Sequence, residues 1–296
     1  MKAAAFDYVR AETLAQALAQ LAEHGADAKL VAGGQSLVPM MAMRLARPAV
    51  LVDINRLAEL KGVRIEADRV WIGATTRQCE VENDTAVHAV LPLLRDALHW
   101  VGHVQTRNRG TVGGSLVHAD PSAELPLAAL MLCARLHLRS AKAERAVAAE
   151  AFFFGPMTTA VADDECLHAI EWPIWAGAGV RTAFDETAMR QGDFGMASAA
   201  CQLQLDEGDI CRRAAIGLGG MDATPRAFPA LAAELVGQRI TAALAQHVAH
   251  EAAAQTDPGS DLHADTEYRR ELGSVLLARV LQRAAQAHWA TAPLSH

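Results

Sequence analysis

Arg107-Asn108-Arg109-Gly110-Thr111-Val112-Gly113-Gly114-Ser115-Leu116-Val117-His118-Ala119-Asp120-Pro121-Ser122-Ala123-Glu124 is the stretch that decides the fold. A helix end with a basic pair precedes a glycine turn flanked by Thr and Ser hydroxyls, and a carboxylate follows at Glu124. Glycine lets a ligand approach the backbone, amides and hydroxyls suit phosphate oxygens, and Glu124 can accept from ribityl or ribose hydroxyls. Lys29-Leu30-Val31-Ala32-Gly33-Gly34-Gln35-Ser36-Leu37-Val38-Pro39 has the same character: a strand runs into two glycines, Ser36 can cap the next helix, and Pro39 suits its first turn. A lone Gly-Gly pair reads more readily as an empty strand–helix turn. Two such loops in one chain point to a dinucleotide-type site. Neither matches GxGxxG or GxxxxGK[ST], so a Rossmann fingerprint and a nucleotide P-loop are both unsupported.

Leu14, Leu18 and Leu21 have the spacing of a half-buried helix that Gly25 stops. Residues 28–32, 48–54 and 69–74 read as strands, and a helix begins at Leu91 and ends before the second glycine pair. Trp172-Pro173-Ile174-Trp175-Ala176-Gly177-Ala178-Gly179 interrupts any regular element and marks a boundary, giving domains 1–176 and 177–296. Beyond it, residues 180–184, 197–205 and 212–218 read as strands, and Ala-rich helices follow Pro229. The fold class is α/β or α+β.

The chain has 296 residues, enough to bury roughly three quarters of its unfolded surface. Its formal charge of −7 is spread along the sequence, which disfavours nucleic acid. No stretch reads as a membrane span or a secretory leader, so a cytoplasmic protein is expected. Cys79, Cys133, Cys166, Cys201 and Cys211 form no CxxC pair, which argues against a disulfide framework, a zinc knuckle or an iron–sulfur cluster in this chain. Any redox chemistry then falls to an organic cofactor.

The segments AGGQSL (Ala32 to Leu37) and RNRGTVGGSLVHADPSAE (Arg107 to Glu124) resemble the FAD-binding medium subunits of bacterial molybdenum hydroxylases. Phe184-Asp185-Glu186-Thr187-Ala188-Met189-Arg190-Gln191-Gly192-Asp193-Phe194 is similar to a third segment of that family, and the resemblance covers essentially the whole chain. It implies a two-lobed FAD-binding domain of the PCMH or vanillyl-alcohol-oxidase-like type, followed by a C-terminal domain with a small antiparallel sheet and helices. It further implies that Ala32, Gly33, Gly34, Gln35, Ser36 and Leu37 wrap the pyrophosphate, with Lys29 on the strand leading in. Thr111, Gly113, Gly114 and Ser115 would form a second cradle, Glu124 a carboxylate contact, and Val101 and Leu167 apolar contacts. Asp193 and Phe194 would lie near the isoalloxazine. Two departures stand out: Ser115 replaces an Asn common in relatives, and Asp185 or Glu186 stands where some carry a Lys that would stabilise a reduced, anionic flavin.

By the same resemblance the chain is the electron-transfer subunit of a complex. A large subunit would carry molybdopterin and a small one two [2Fe–2S] clusters, in a dimer of heterotrimers that passes electrons through FAD to an external acceptor. Two other readings stay open, a self-sufficient flavin oxidase or reductase and a non-catalytic assembly subunit; Gln35 stands where a covalently linking His would be sought in the former. No metal ligands are expected on this chain. His99 and His103 have i, i+4 spacing but no evident third ligand, and His247, His250 and His263 read as ordinary helix histidines. His118, Asp120 and Ser122 supply the residue types of a triad without evidence of its geometry. The Asp206–Asp209 segment reads as a solvated hairpin tip, and Glu267-Tyr268-Arg269-Arg270 as a helix-surface or interdomain contact.

Overall fold

The computed structural model describes residues 2–262 and 264–286. They form two compact units. The first takes the chain up to Ala89 together with Val101–Asp120 and Cys133–Ile174; the second takes Val90–Trp100, Pro121–Leu132 and the chain from Trp175 onward. The chain passes from the first unit to the second for the last time between Ile174 and Trp175. A contiguous division does not anticipate that helices Pro92–Trp100 and Glu124–Met131 join the second unit. The latter helix buries residues almost all round, Leu125, Leu127, Ala128, Ala129 and Met131 among them, so it has no solvent face by which a sequence pattern could orient it.

In the first unit, the Thr13 hydroxyl accepts from the Gln16 amide to start helix Leu14–His24, and Gly25 ends it with φ +53°. Leu14, Ala17, Leu18 and Leu21 form its buried stripe. They share a core with Ile54 and with Val50 and Val52 of a parallel sheet in which Val50–Asp53 lies between Asp7–Arg10 and Ala28–Val31. A second, antiparallel sheet has the order Val63–Ile65, Arg69–Gly73, Cys166–Pro173, Arg135–Arg139, Glu144–Ala148, with an irregularity in the middle strand between Leu167 and Ala169.

The helix expected from Leu91 forms as Pro92–Trp100 and ends before the second glycine pair, but that pair is no turn. The chain instead makes three short helices, Pro92–Trp100, Val104–Arg109 and Val112–His118, and Gly113 and Gly114 lie in the first turn of the third. The reason is local, because the Thr111 hydroxyl caps that helix by accepting from the Gly114 amide at 3.1 Å. His99 and His103 consequently share no helix face: His99 belongs to Pro92–Trp100, and His103 precedes Val104–Arg109.

The second unit is a four-stranded antiparallel meander of Val180–Ala188, Gly195–Leu205, Cys211–Gly219 and Arg226–Ala227. Helices Pro229–Leu235, Ala242–Ala254 and Thr266–Ala285 share its core, where Leu203, Leu218, Val248, Leu276, Leu277 and Leu281 are buried. Arg269 departs from the expected surface role. It is buried and donates to the Met196 carbonyl at 2.7 Å and to Asp261 at 2.6 Å. His247 and His250 lie in helix Ala242–Ala254, and His263 lies outside the described residues.

Among the described residues no helix is long and apolar enough to cross a membrane. Leu277 is fully enclosed, so Leu277→Ala should cost about 2–5 kcal/mol in chemical denaturation of the second unit through lost burial and the cavity left behind.

Candidate functional site

The first glycine loop leaves strand Ala28–Val31 and enters helix Leu37–Ala42. Gly34 takes φ +71°, a left-handed conformation that glycine adopts without steric cost. Val38 donates back to the Gly34 carbonyl at 3.1 Å, while among the described residues the amides of Gly34, Gln35, Ser36 and Leu37 donate to no protein acceptor. Ser36 makes no side-chain cap bond, contrary to the expectation from its position, so its hydroxyl is not engaged by the helix. The Gln35 amide group folds back onto the Gly33 carbonyl at 3.1 Å. Successive amides without protein partners form a concavity suited to an anion.

Gly33 explains why the two loops belong together. A Cβ at this position would collide with the carbonyl oxygen of Arg109 and lie 2.9 Å from Gly110 Cα. The glycine is therefore needed for loop-to-loop contact, and its missing side chain points at protein.

The second loop is built differently from the first. Val112 donates to the Thr76 carbonyl at 3.0 Å, Gly113 to the Ala74 carbonyl at 2.9 Å and Ser115 to the Thr111 carbonyl at 3.2 Å, so these amides are already committed. A Cβ on Gly113 would stand 2.6 Å from Ala74 Cβ, which makes this glycine a packing requirement. What the loop can still offer a ligand is hydroxyl chemistry: Thr111 accepts from Gly114 and keeps its own proton to donate. Arg107 of the basic pair is held internally, by Glu82 at 2.6 Å and the Val101 carbonyl at 2.9 Å.

Two residues that sequence reasoning passed over tie these loops together. Arg77 donates through Nη1 to the Arg109 carbonyl and through Nη2 to Asn55 Oδ1 at 2.8 Å; Asn55 Nδ2 donates to the Ala32 carbonyl at 2.5 Å. Asn55 is itself anchored by Asp53, whose other oxygen accepts from the Tyr8 hydroxyl at 2.5 Å. Burial opposes ionisation of Asp53, but the Tyr8 and Asn55 hydrogen bonds outweigh it and hold the carboxyl below its ordinary value. Asn55 directly follows a predicted strand, and that adjacency was the only available signal.

The remaining candidates divide between the units. Lys29 is exposed on strand Ala28–Val31, Val101 and Leu167 are buried in the first unit, and Glu124, Asp193 and Phe194 belong to the second. Glu124 opens helix Glu124–Met131, and Phe194 is 74% exposed on the loop before strand Gly195–Leu205.

The adjacent acids of the third segment have opposite fates because side chains alternate along strand Val180–Ala188. Asp185 meets Arg283 at 2.7 Å and Arg279 at 3.5 Å, both from helix Thr266–Ala285. Its charge is therefore compensated within the protein. Glu186 is buried, its Oε2 has no partner among the described residues, and a Cβ on Gly195 would lie 2.7 Å from its carboxyl carbon. Burial first, then the nearby charges of Glu124 and Asp185, push its pKa up to about 9, so the side chain is a neutral acid at pH 7.

The unfolded chain ionises Glu186 above about pH 4.5, whereas the folded chain keeps the proton until about pH 9. Folding stability therefore declines with pH across that interval. Glu186→Gln should raise stability at pH 7 by up to about 3 kcal/mol, with the gain vanishing near pH 4, in paired denaturation curves.

Residues 4–175 match the family described as FAD binding domain in molybdopterin dehydrogenase, and residues 182–284 the CO dehydrogenase flavoprotein C-terminal domain. The chain is 37% identical over 286 residues to caffeine dehydrogenase subunit beta of Pseudomonas sp. (strain CBB1), covering 96% of each. It is 33% identical to the carbon monoxide dehydrogenase medium chain of Hydrogenophaga pseudoflava, covering 96% of this chain and 97% of that one. Quinoline 2-oxidoreductase from Pseudomonas putida 86 superposes with TM-score 0.91 at 35% identity, covering 96% of this chain and 98% of that one. These matches define the class as a flavoprotein subunit of an oxidoreductase. The chain belongs to the family of FAD-binding medium subunits of molybdenum hydroxylases.

Proposed function

We propose that the chain serves a heteromeric molybdenum hydroxylase as its electron-transfer subunit, with a large molybdenum-cofactor subunit and a small iron–sulfur subunit as partners in a cytoplasmic dimer of heterotrimers. When bound, FAD supplies chemistry that links one- and two-electron transfer, between [2Fe–2S] clusters of the small subunit and an external acceptor. The observation that carries this reading is the joined pair of glycine loops: four amides without protein acceptors on one, helix-capping hydroxyl chemistry on the other, and Gly33 between them.

In this reading the amides of Gly34–Leu37 and the Ser36 hydroxyl bind the pyrophosphate, flanked by Ala32 and Lys29. Thr111 and Ser115 donate from the second loop, while Gly113 and Gly114 hold that loop in place. Glu124 orients the cofactor's hydroxyls, Val101 and Leu167 contribute apolar surface, and Asp193 and Phe194 flank the isoalloxazine. Neutral Glu186 and arginine-paired Asp185 place little uncompensated negative charge in the third segment, so the absence of a Lys there perturbs the cofactor less than the sequence suggests.

A self-sufficient oxidase is the weaker reading. Gln35 lacks a nucleophile for a covalent link, and its amide is turned onto the loop's own backbone. Non-covalent binding predicts that acid or heat denaturation releases all flavin into the supernatant.

The decisive experiment is native purification with metal and flavin counts. Molybdenum, iron and FAD should arrive with two partner chains; flavin turnover by the isolated chain with no metal-bearing partner would overturn the proposal. Within the complex, Gly33→Val should abolish FAD retention by forcing the loops apart, and Gly114→Val by disturbing the Thr111 cap, 2.6 Å from where its Cβ would stand. Arg77→Met should weaken retention at least about tenfold, because it removes two charge-assisted hydrogen bonds from the same junction. Full flavin occupancy in all three variants would sink the site assignment.

A further inference from the structure

The five-stranded sheet brings together a second set of chemically capable side chains outside the glycine loops. His137 stands on strand Arg135–Arg139, His168 on the central strand Cys166–Pro173 and Glu144 on the edge strand Glu144–Ala148. One ligand atom from each lies within 4.8 Å of the others. Strand register explains the convergence. His137 faces Ala146, and Glu144 faces Arg139, so the two side chains emerge on the same face of the sheet. Cys166 pairs with Arg139 and Leu167 with Leu138, so alternation counted from that end of the central strand brings His168 to the same face. An irregularity then pairs Ala169, and not His168, with His137, so His168 is an extra residue that keeps this face beside the pair.

We infer that His137, His168 and Glu144 form a site for one divalent transition-metal ion of the zinc class, which fastens the edge strand Glu144–Ala148 to the two strands beside it. Two imidazoles and a carboxylate are an N2O donor set of the kind that zinc accepts, with a fourth position left for water. His168 Nε2 and Glu144 Oε1 are 3.1 Å apart, close to the roughly 3.4 Å between donors on a tetrahedral ion with bonds of about 2.1 Å. The half-exposed Glu144 side chain can adjust to reach it.

The surroundings add what metal sites use behind their ligands. Glu171 Oε2 lies 3.1 Å from His137 Nε2, and its other oxygen accepts from Arg69 at 2.8 Å, so the ring is oriented by a carboxylate that is itself anchored. Trp71 packs on the His137 ring at 4.7 Å. Burial depresses the His168 pKa, with His137 and Arg139 adding to the effect against Glu144, and this favours the neutral imidazole that binds metal. The site departs from the sequence expectation of no metal ligands because its residues are distant in sequence and follow no motif spacing.

The test uses tag-free, FAD-loaded complex, chelator-treated, with exposed thiols alkylated, titrated calorimetrically with Zn²⁺. A saturable 1:1 event per copy of this chain is expected, weakened at least about tenfold by His168→Ala, His137→Ala and Glu144→Ala. Zinc should also raise the melting midpoint of the parent protein but of none of the variants, because the ion binds only the folded arrangement. Glu144 is exposed enough that its variant will fold even if a histidine variant does not. Equal zinc affinity in parent and Glu144→Ala, or no saturable binding to the parent, overturns the assignment.

Discussion

The backbone at Gly33 lies against the carbonyl of Arg109, and the ordering of both glycine loops depends on that approach. A side chain there would hold the loops apart. Arg77 and Asn55 then convert close approach into fixed geometry, one reaching the Arg109 carbonyl and the other the Ala32 carbonyl. Hydrogen bonds to a charged group contribute about 1.5–3 kcal/mol each, more than neutral ones, so a guanidinium suits the junction. Under the proposed function, this junction would fix the amides of Gly34–Leu37 before a ligand arrives, with less ordering left to do on binding.

The two glycine motifs look alike in sequence yet divide the labour. In the first, amides stay free because the chain turns through Gly34 before the helix begins. In the second, Ala74, Thr76 and Thr111 accept from those of Val112–Ser115, and the glycines serve close packing. A similar division separates Asp185 from Glu186. One residue along a strand sends one acid to two arginines and leaves the other buried and protonated. Charge at this segment is thus set by strand alternation and burial more than by the count of acids.

Much of the architecture was legible from periodicity. The Leu14, Leu18, Leu21 stripe, the strands around residues 28–31, 50–53 and 69–73, and the C-terminal meander all follow from local patterns with local causes. The glycine loops were legible too, and the family resemblance carried by their residues gave the cofactor class. Harder to see were the breaks between Pro92 and His118, where Gly102 takes a left-handed φ of +45° just past one helix and Gly110 ends the next by donating to the Thr106 carbonyl. The transfer of Val90–Trp100 and Pro121–Leu132 to the second unit was equally hidden.

By itself the sequence determined the helical and strand periods, the two glycine loops, the lack of cysteine spacing for a cluster and the family to which these belong. Tertiary structure alone decided that Gly33 faces protein, that Arg77 and Asn55 join the loops, that Asp185 is paired while Glu186 is neutral, and that His137, Glu144 and His168 converge. The physical reason is range. Periodicity, capping and turn chemistry act over a few neighbouring residues and leave a trace in the order of amino acids. Close backbone approach, desolvation and convergence across strands depend on residues tens of positions apart, and only the folded chain brings them within reach of one another.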